Sequence, residues 1–245
     1  MTTVLITGAN KGLGRETARQ LAARGWTVLL GARDVDRGKA AADAIAADQA
    51  TADGAGVPAD VHVVPLDVTD DASVDAAVDH VASRTDHLDV LVNNAGIIGG
   101  RQGPLETRPQ DFLACFGVNL LGPVRMTRAF LPLLERADVP RIVMVSSGMG
   151  SLAVTSDPDR LESSIVSLVY PSSKAALNMV TTQYAKALPG WKINAVDPGY
   201  TATDLNGHTG TKSVEEGARP IVAAASLGPD GPTGGFIGED GTVPW

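Results

Sequence analysis

The chain has 245 residues, 44% of them hydrophobic, and a formal net charge of −8 at pH 7. This length and composition suit a single dinucleotide-binding and catalytic domain across residues 1–245, with a large buried core. The negative charge and the lack of a basic run argue against nucleic-acid binding, and no apolar run reaches the length of a membrane span.

Apolar runs alternate with helical patterns along the whole chain. We predict strands near residues 3–7, 27–32, 61–65, 89–93, 141–145, 192–197 and 235–237, and helices near 13–24, 36–47, 71–84, 108–136, 171–188 and 213–227. This alternation is typical of a parallel sheet with right-handed crossovers. The predicted fold class is α/β, a Rossmann-like doubly wound parallel sheet of about seven strands with helices on both faces.

Two places interrupt the regular pattern. The polar, Gly/Ala-rich stretch 48–60 predicts a mobile surface connection. Gly122-Pro123 falls inside the long helical stretch 108–136 and predicts a kink or a broken hydrogen bond there, because proline has no N–H. The kink follows directly after Asn119 and is expected to turn that side chain inward.

The first predicted strand runs into a glycine-rich turn. Val4-Leu5-Ile6 is followed by Thr7-Gly8-Ala9-Asn10-Lys11-Gly12-Leu13-Gly14, and a helical pattern begins there. Glycines let the backbone approach a phosphate, and the helix start supplies free N–H groups. The spacing is Gly-x-x-x-Gly-x-Gly instead of the usual Gly-x-Gly-x-x-Gly. A cradle for a dinucleotide pyrophosphate is favoured over a turn without a ligand.

Two later strands end in polar residues. Val90-Leu91-Val92 leads into Asn93-Asn94-Ala95-Gly96, and Arg141–Val145 leads into Ser146-Ser147-Gly148. In open α/β sheets ligands sit beyond the carboxyl ends of the strands, where amides and hydroxyls can bond them. Taken separately, the Asn93-Asn94 stretch is equally compatible with an ordinary turn, and for the Ser146-Ser147 stretch an ordinary turn is the favoured interpretation.

Tyr170 and Lys174 stand four residues apart at the start of a helical pattern. Residues at this spacing share one face of a helix, so an ammonium lies beside a phenol. A nearby positive charge lowers the pKa of a tyrosine and makes it a better acid/base group. Tyrosine and lysine at this spacing are common on solvent-exposed helix faces, so the pair is informative only together with the other motifs.

In order and spacing, these stretches resemble the short-chain dehydrogenase/reductase family in its single-domain form, over residues 4–241. The resemblance implies that Tyr170 is the catalytic acid/base and that Lys174 lowers its pKa. It implies that Ser147, the second serine of its pair, bonds the substrate oxygen. Asn119 is expected to hold a water that links the lysine to solvent.

The resemblance also implies a set of cofactor contacts. Asp67 is expected to bond the adenine amino group, and Pro198-Gly199 is expected to form the nicotinamide-side turn. Thr201 and Thr203 are expected at the carboxamide or the phosphates. The full predicted set is Gly8, Asn10, Lys11, Gly12, Leu13, Gly14, Arg33, Asp67, Val68, Asn94, Ala95, Gly96, Tyr170, Lys174, Pro198, Gly199, Thr201 and Thr203.

The end of the second strand bears on the choice between NAD and NADP. An acidic residue there bonds the ribose of NAD, whereas an arginine pairs with the 2′-phosphate of NADP. Arg33 comes first and Asp34 follows, with Lys11 and Arg37 as further positive charges. Together with the Asn-Lys turn, this resembles the carbonyl reductase branch of the family and implies NADP(H). Asp34 leaves NAD open.

The resemblance implies an NADP(H)-dependent oxidoreductase that acts on a small-molecule carbonyl or alcohol. Two alternatives are a non-catalytic NADP(H)-binding sensor on the same fold and a lyase, epimerase or dehydratase relative. The sensor is disfavoured because the Tyr-Lys pair is retained. The last group is disfavoured because no second substrate domain is visible in the sequence.

Two expectations concern the surface. Ser147 and Tyr170 are farther apart than is usual in the family, so the residues between them predict an excursion over the substrate mouth. Leu152, Val154 and Leu168 are candidates for its apolar lining. A homodimer or homotetramer is expected through helices 108–136 and 171–188, with candidate contacts at Phe112, Phe116, Leu120, Met179 and Val180.

Cysteine and histidine do not suggest a metal site. Cys115 is the only cysteine, so no disulfide forms within the chain; it is expected to pack in a helix, and a cytoplasmic location is expected. The first strand is predicted to begin within four residues, so no signal peptide is expected. The histidines, His62, His80, His87 and His208, are predicted to lie far apart.

Overall fold

The computed structural model of the protein describes residues 1–52, 59–100 and 102–245. The strands are β1 (Thr3–Ile6), β2 (Thr27–Ala32), β3 (Val61–Pro65), β4 (Val90–Asn93), β5 (Arg141–Val145), β6 (Lys192–Val196), β7 (Phe236–Gly238) and β8 (Gly241–Thr242). The α-helices are α1 (Gly12–Ala22), α2 (Val35–Ala52), α3 (Asp71–Ala82), α4 (Asp111–Phe116), α5 (Gly122–Leu134), α6 (Leu152–Ser156), α7 (Val169–Ala187) and α8 (Val214–Ala225).

The described strands form one sheet in the order β3-β2-β1-β4-β5-β6-β7-β8. β1 to β7 run parallel, and β8 returns antiparallel beside β7. The predicted doubly wound Rossmann-like fold is confirmed, with β8 added to the seven predicted strands. The strand order reverses between β1 and β4, which is where ligands bind in such sheets.

Both faces of the sheet are covered by apolar side chains. On one face, Val4, Ile6, Val28 and Leu30 are fully buried and belong to the same cluster as Leu21 of α1. On the other face, the alternate residues of the same strands pack with α3, α5 and α7, as the period of two along a strand requires. A sheet buried on both faces is rigid, and it fixes the positions of the turns at its carboxyl edge.

The stretch predicted as one helix over 108–136 is divided. α4 ends at Phe116, a π-helical turn follows over Gly117–Leu121, and α5 begins at Gly122. The interruption lies where Gly122-Pro123 predicts it. Because Pro123 has no N–H, it cannot supply the donor that a regular helix would give to the Asn119 carbonyl.

The prediction for residues 48–60 is partly wrong. Residues 48–52 belong to α2, which is longer than predicted. Residues 53–58 lie outside the described residues. Within the described ranges, no helix has the length and apolar character to cross a membrane.

The prediction that the histidines lie far apart is wrong for His62, His80 and His87. His62 and His80 both contact Arg84, with ring nitrogen to guanidinium nitrogen distances of 3.4 Å. His87 lines the same surface pocket as His62 and Arg84, at the amino-terminal edge of the sheet. In the part of the chain that the structure describes, no group of three His, Cys, Asp or Glu side chains is arranged to hold a metal ion.

Candidate active site

The glycine turn after β1 is shaped by backbone that only glycine adopts easily. Gly8 and Gly12 have φ angles of 62° and 54°. A Cβ on Gly14 would lie 2.7 Å from the Gly8 carbonyl oxygen and closer still to the side-chain amide of Asn94. A Cβ on Gly12 would instead project toward Thr203, 3.8 Å away. The turn is therefore tight on its inner side and open toward the loop after β6.

The ends of β1 and β4 are tied together by side-chain hydrogen bonds. The Thr7 hydroxyl accepts the N–H groups of Asn94, at 3.0 Å, and Ala95, at 2.9 Å. The Asn94 amide donates to the carbonyl oxygens of Thr7, at 2.8 Å, and Gly8, at 3.2 Å. Asn94 therefore supports the glycine turn from below, a role that the sequence left open between backbone and ligand.

The start of α1 is not capped by its own side chain. Lys11 occupies the N-cap position and makes no side-chain hydrogen bond to the helix backbone. Its ammonium instead pairs with Asp204 in the loop after β6, at 2.7 Å. The first N–H groups of α1 therefore have no cap from Lys11, and the Lys11–Asp204 pair spans the opening above the turn.

The end of β2 presents an exposed arginine. The Arg33 side chain is 81% exposed, and its nearest charged partner is Asp67 at 3.8 Å. Asp34 accepts the backbone N–H of Arg37 at 3.1 Å and pairs with the Arg37 guanidinium at 3.2 Å. The Asp34 carboxylate is thus held at the start of α2. Asp67 accepts two hydrogen bonds from Thr69, which lower its pKa.

Ser147 and Tyr170 meet at the carboxyl edge of the sheet. Tyr170 lies in the first turn of α7, and Ser147 follows β5; the two side chains hydrogen-bond. Ser147 also accepts the N–H of Met149, at 3.2 Å, which fixes its hydroxyl. The neighbouring Ser146 is buried and donates to Asn178, at 2.6 Å. The structure thus brings Ser147, and not Ser146, to the tyrosine.

Lys174 lies under Tyr170 on the inner face of α7. It is 4% exposed, and its ammonium donates to the Val145 carbonyl at 2.7 Å. The same ammonium lies 5.7 Å from the centroid of the Tyr170 ring. Burial lowers the pKa of Lys174 from 10.5 to about 8.

The pKa of Tyr170 moves in the direction opposite to the one predicted. Burial raises it from 10.0 to about 12, and the nearby charge of Asp197 acts in the same direction, while the hydrogen bond with Ser147 opposes them. The expectation that Lys174 brings it down is therefore not met in this structure: burial of the phenol, and not the ammonium of Lys174, sets the direction of the shift. At neutral pH Tyr170 is a phenol and holds a proton to donate.

Asn119 is fully buried in the π-helical turn and faces inward, as the kink predicts. Its side-chain oxygen accepts the Ile97 N–H at 2.9 Å, and its amide donates to the Ile97 carbonyl at 2.9 Å and to Ser173 at 3.0 Å. The side chain therefore joins the loop after β4 to α7. A Cβ on Gly96 would lie 3.6 Å from the Asn119 side-chain oxygen and 3.7 Å from the Lys174 ammonium.

Most of the remaining predicted cofactor residues line the same edge of the sheet. Thr201 is buried, and its hydroxyl donates to the Pro198 carbonyl at 3.1 Å. Gly199 has a φ angle of 71°, as a tight turn requires. A Cβ on Gly217 of α8 would collide with both Thr201 and Leu13, so the glycine turn and the loop after β6 approach each other there. Ala95 and Gly96 follow β4, Asn10 lies within the glycine turn, and Val68 and Asp67 follow β3.

The segment between Ser147 and Tyr170 is ordered. It contains a 3₁₀ turn at Gly148–Gly150, the short helix α6 and a second 3₁₀ turn at Leu161–Ser164. The C-terminus holds it in place: Ser151 donates to the Pro244 carbonyl at 2.7 Å, and Ala153 donates to the Trp245 carbonyl at 3.1 Å.

The predicted lining of this segment is wrong in part. Val154 is 3% exposed and so cannot face an open mouth. Leu152 lines a groove with Met149, Ile165 and Pro171 that does not include Tyr170. Leu168, directly before α7, is 39% exposed. The segment instead sends Glu162 toward the site: a Cβ on Gly148 would lie 2.9 Å from its carboxylate.

Sequence reasoning missed the roles of three residues. Thr7 is a strand-end hydroxyl before the glycine turn, and its hydrogen bonds to β4 have no signature in the sequence. Asp197 precedes Pro198-Gly199, and the acidic residue beside a predicted turn was the available signal. Glu162 is far from every motif in the sequence, and only the folded path of the chain brings it near Gly148.

Replacing Lys174 with methionine should stabilise the protein at neutral pH. Below pH 8 the fold keeps a charged ammonium out of water, at a cost of roughly 3 kcal/mol for the pKa change from 10.5 to about 8. Between about pH 8 and pH 10.5 the unfolded chain binds more protons than the folded protein does, so wild-type stability rises with pH in this range. Because the variant also loses a hydrogen bond, we expect a gain of about 1–2 kcal/mol at pH 7 by urea titration.

The gain in stability should disappear above pH 10.5, where Lys174 is neutral in both the folded and the unfolded state. The matched control is Lys186→Met, which makes the same change at an exposed position of the same helix. An equal gain in both variants, or one that does not depend on pH, would contradict the assignment of this cost to the burial of Lys174.

Together, the switch point, the glycine turn and the paired Tyr170 and Lys174 define a dinucleotide-dependent class of protein. The sequence matches the short chain dehydrogenase family over residues 2–213. It is 35% identical to a (+)-neomenthol dehydrogenase of Arabidopsis thaliana, with 91% of this chain and 90% of the relative covered. It is 35% identical to a (−)-isopiperitenone reductase of Mentha piperita, with 96% of each chain covered.

The fold comparison agrees with the sequence match. An NADPH-bound carbonyl reductase from chicken fatty liver superposes with a TM-score of 0.85 at 27% identity, covering all of this chain and 99% of the other. The chain belongs to the short-chain dehydrogenase/reductase family of oxidoreductases.

Proposed function

We propose that the protein is an NADP(H)-dependent carbonyl reductase in which Tyr170 is the acid/base. The observation that carries this proposal is the meeting of Tyr170 with Ser147 above the buried Lys174, at the same edge of the sheet as the glycine turn. A single domain over residues 1–245 combines cofactor binding and catalysis.

The residues at this edge fit a dinucleotide. The glycine turn is open on the side where a Cβ of Gly12 would project, and α1 starts there without a side-chain cap. The backbone N–H groups of this turn would hold the pyrophosphate, since a helix start favours negative charge. When bound, NADPH supplies a hydride to the carbonyl carbon. The chain's own groups bind, orient and deliver a proton.

Tyr170 is suited to give that proton. Its raised pKa keeps the phenol protonated at neutral pH, and the proton passes to the substrate oxygen as that oxygen gains charge. Ser147, held by the Met149 N–H, donates a hydrogen bond to the same oxygen and orients the substrate. An oxygen that accepts from both groups is stabilised as it becomes an alkoxide.

Lys174 and Asn119 support the tyrosine. The Lys174 ammonium donates to the Val145 carbonyl and lies near Gly96, and it would hold a ribose hydroxyl of a bound cofactor. With its pKa lowered to about 8, Lys174 can release and recover a proton near neutral pH. Pro123 cannot donate to the Asn119 carbonyl, and in this proposal that carbonyl holds a water between the lysine and solvent.

Arg33 selects NADP(H) over NAD(H) in this proposal. It is exposed at the end of β2, where members of this fold class bind the 2′-phosphate, and an arginine can make bidentate contacts with a phosphate. Asp34 bonds Arg37 at the start of α2. This favours binding of the 2′-phosphate by Arg33 over a contact between Asp34 and the ribose. The carbonyl reductase from chicken fatty liver is described as NADPH-bound, which agrees with this assignment.

An NADPH-oxidation screen over carbonyl compounds tests the function. The named activities of the relatives suggest including isopiperitenone and the ketone of neomenthol, with aldehydes and open-chain ketones beside them. NADPH consumption that depends on one of these compounds is expected. NADPH binding without turnover of any carbonyl or alcohol would favour the alternative hypothesis of a non-catalytic NADP(H)-binding sensor.

The segment before α7 should control which substrates fit. Replacing residues 157–163 with a Gly-Ser linker of equal length removes the part that approaches Gly148 and keeps α6. We expect the ratio of kcat/KM between bulky and small ketones to change severalfold, while the Kd for NADPH stays constant. Leu152→Ala is the control, because this exposed residue lies in the same segment but lines a groove away from Tyr170. An unchanged substrate ranking would contradict the prediction.

A further inference from the structure

Asp197 joins two turns at the carboxyl edge of the sheet. It follows directly after β6, and one oxygen of its carboxylate accepts the N–H of Gly199 at 3.0 Å. The N–H of Gly148, in the turn after β5, also donates to this carboxylate. A Cβ on Gly148 would lie 3.2 Å from the other carboxylate oxygen. One side chain therefore bonds the backbone of the Ser147 turn and that of the Pro198-Gly199 turn.

The backbone around Asp197 leaves it little freedom. Its own N–H donates to the Ile237 carbonyl of β7 at 2.8 Å. Gly148 is buried, and any side chain there would press against the carboxylates of both Asp197 and Glu162. The position of the carboxylate, and hence of its charge, is fixed by β6 and β7 and not by a mobile loop.

The carboxylate of Asp197 contacts Gly148, the residue next to Ser147, and Ser147 in turn contacts Tyr170. The charge of Asp197 disfavours the Tyr170 phenolate, because like charges repel most strongly where water is excluded. Tyr170 is also faced by Ser147 from the end of β5, by Lys174 from its own helix and by Cys115 from α4. Burial raises the pKa of the Cys115 thiol, so Cys115 is uncharged at neutral pH.

Asp197 itself is faced by groups of both signs. Burial raises its pKa and Glu162 acts in the same direction, whereas the N–H groups of Gly199 and Gly148 and the ammonium of Lys212 favour its ionised form. Lys212 also pairs with Glu239, at 2.7 Å, which fixes the lysine near the Pro198-Gly199 turn.

We infer that Asp197 is a positioning residue that fixes the Ser147 and Pro198-Gly199 turns relative to each other and, by its charge, holds Tyr170 in the proton-donating form. This inference rests on the proposed function of Tyr170. Carbonyl reduction starts from the phenol, whereas alcohol oxidation starts from the phenolate. The negative charge of Asp197 therefore increases the fraction of the enzyme in the phenol form, from which carbonyl reduction starts.

The test compares pH profiles of wild type and Asp197→Asn. Asparagine keeps the shape and one accepting oxygen but removes the charge. The rising limb of alcohol oxidation, which reports formation of the phenolate, should move to lower pH by on the order of one unit. The alkaline fall of carbonyl reduction should move in the same direction. Asp197→Glu keeps the charge, and its limbs should stay near the wild-type positions.

A second readout does not depend on turnover. Ultraviolet difference absorbance of the phenolate, with Tyr170→Phe in each background to isolate this tyrosine, should detect ionisation at lower pH in Asp197→Asn. Folding is checked by circular dichroism, and Asp197→Ser carries the same test if the asparagine variant does not fold.

The outcomes separate the two hypotheses. A uniform loss of activity with both limbs in place would mean that Asp197 only holds the turns, and it would overturn the inference about its charge. Limbs that do not move while Tyr170→Phe is inactive would leave the proposed function intact. Substantial activity in Tyr170→Phe would instead overturn the proposed function itself.

Discussion

Replacing Tyr170 with phenylalanine should lower carbonyl turnover by roughly 10²–10⁴-fold, the usual contribution of general acid/base catalysis. The ring and its packing remain, and only the hydroxyl that bonds Ser147 is lost. The Kd for NADPH should change little, because the pyrophosphate and the adenosine are held by the glycine turn and the end of β2. Steady-state kinetics and a fluorescence titration of NADPH measure the two quantities.

The control is Tyr184→Phe, which makes the same chemical change about four turns farther along α7, at a half-buried position. It should keep near wild-type turnover. If Tyr170→Phe also keeps it, another group donates the proton and the proposed mechanism is wrong. This pair of variants also separates the enzyme from the sensor alternative, since a sensor has no turnover to lose.

Replacing Arg33 with alanine should narrow the preference of the protein for NADPH over NADH. A charge-assisted contact with the 2′-phosphate contributes about 1.5 kcal/mol at the lower end of its range, which is roughly tenfold in Kd. The lower end applies because Arg33 is largely exposed and its contact is screened by water. NADPH binding should weaken about tenfold while NADH binding stays constant, both measured by fluorescence titration.

Two neighbouring cations serve as controls. Arg37→Ala removes a similar charge that is engaged with Asp34 at the start of α2, and it should change the preference less. Lys11→Ala removes a cation paired with Asp204, and its effect should also be smaller than that of Arg33→Ala. Equal affinities of the wild type for both cofactors would contradict the assignment of NADP(H).

The fold class, and which motif follows which strand, were predictable from the amino-acid pattern alone. Short apolar runs alternating with helical periods specify a parallel sheet, and parallel strands have their carboxyl ends at one edge. Any polar motif that follows a strand is therefore directed to that edge. The glycine turn, the Asn93-Asn94 turn and the Ser147 turn come together for this reason. The break after Asn119 was predictable because the missing N–H of Pro123 is a local property.

The electrostatics of the site and its less regular contacts became evident from the folded structure. The raised pKa of Tyr170 depends on how much water the surrounding elements exclude, and spacing along one helix does not report that. Whether Asp34 faces a ribose or the start of α2 depends on a side-chain rotation.

The contacts that the sequence left undetermined join residues far apart in the chain. Asp197, after β6, reaches Gly148 after the neighbouring strand β5, and Glu162 reaches the same glycine from the segment before α7. Local patterns specify secondary structure because it is built from near neighbours along the chain. The charge around a reacting group depends instead on packing between distant segments, so only the assembled fold determines it.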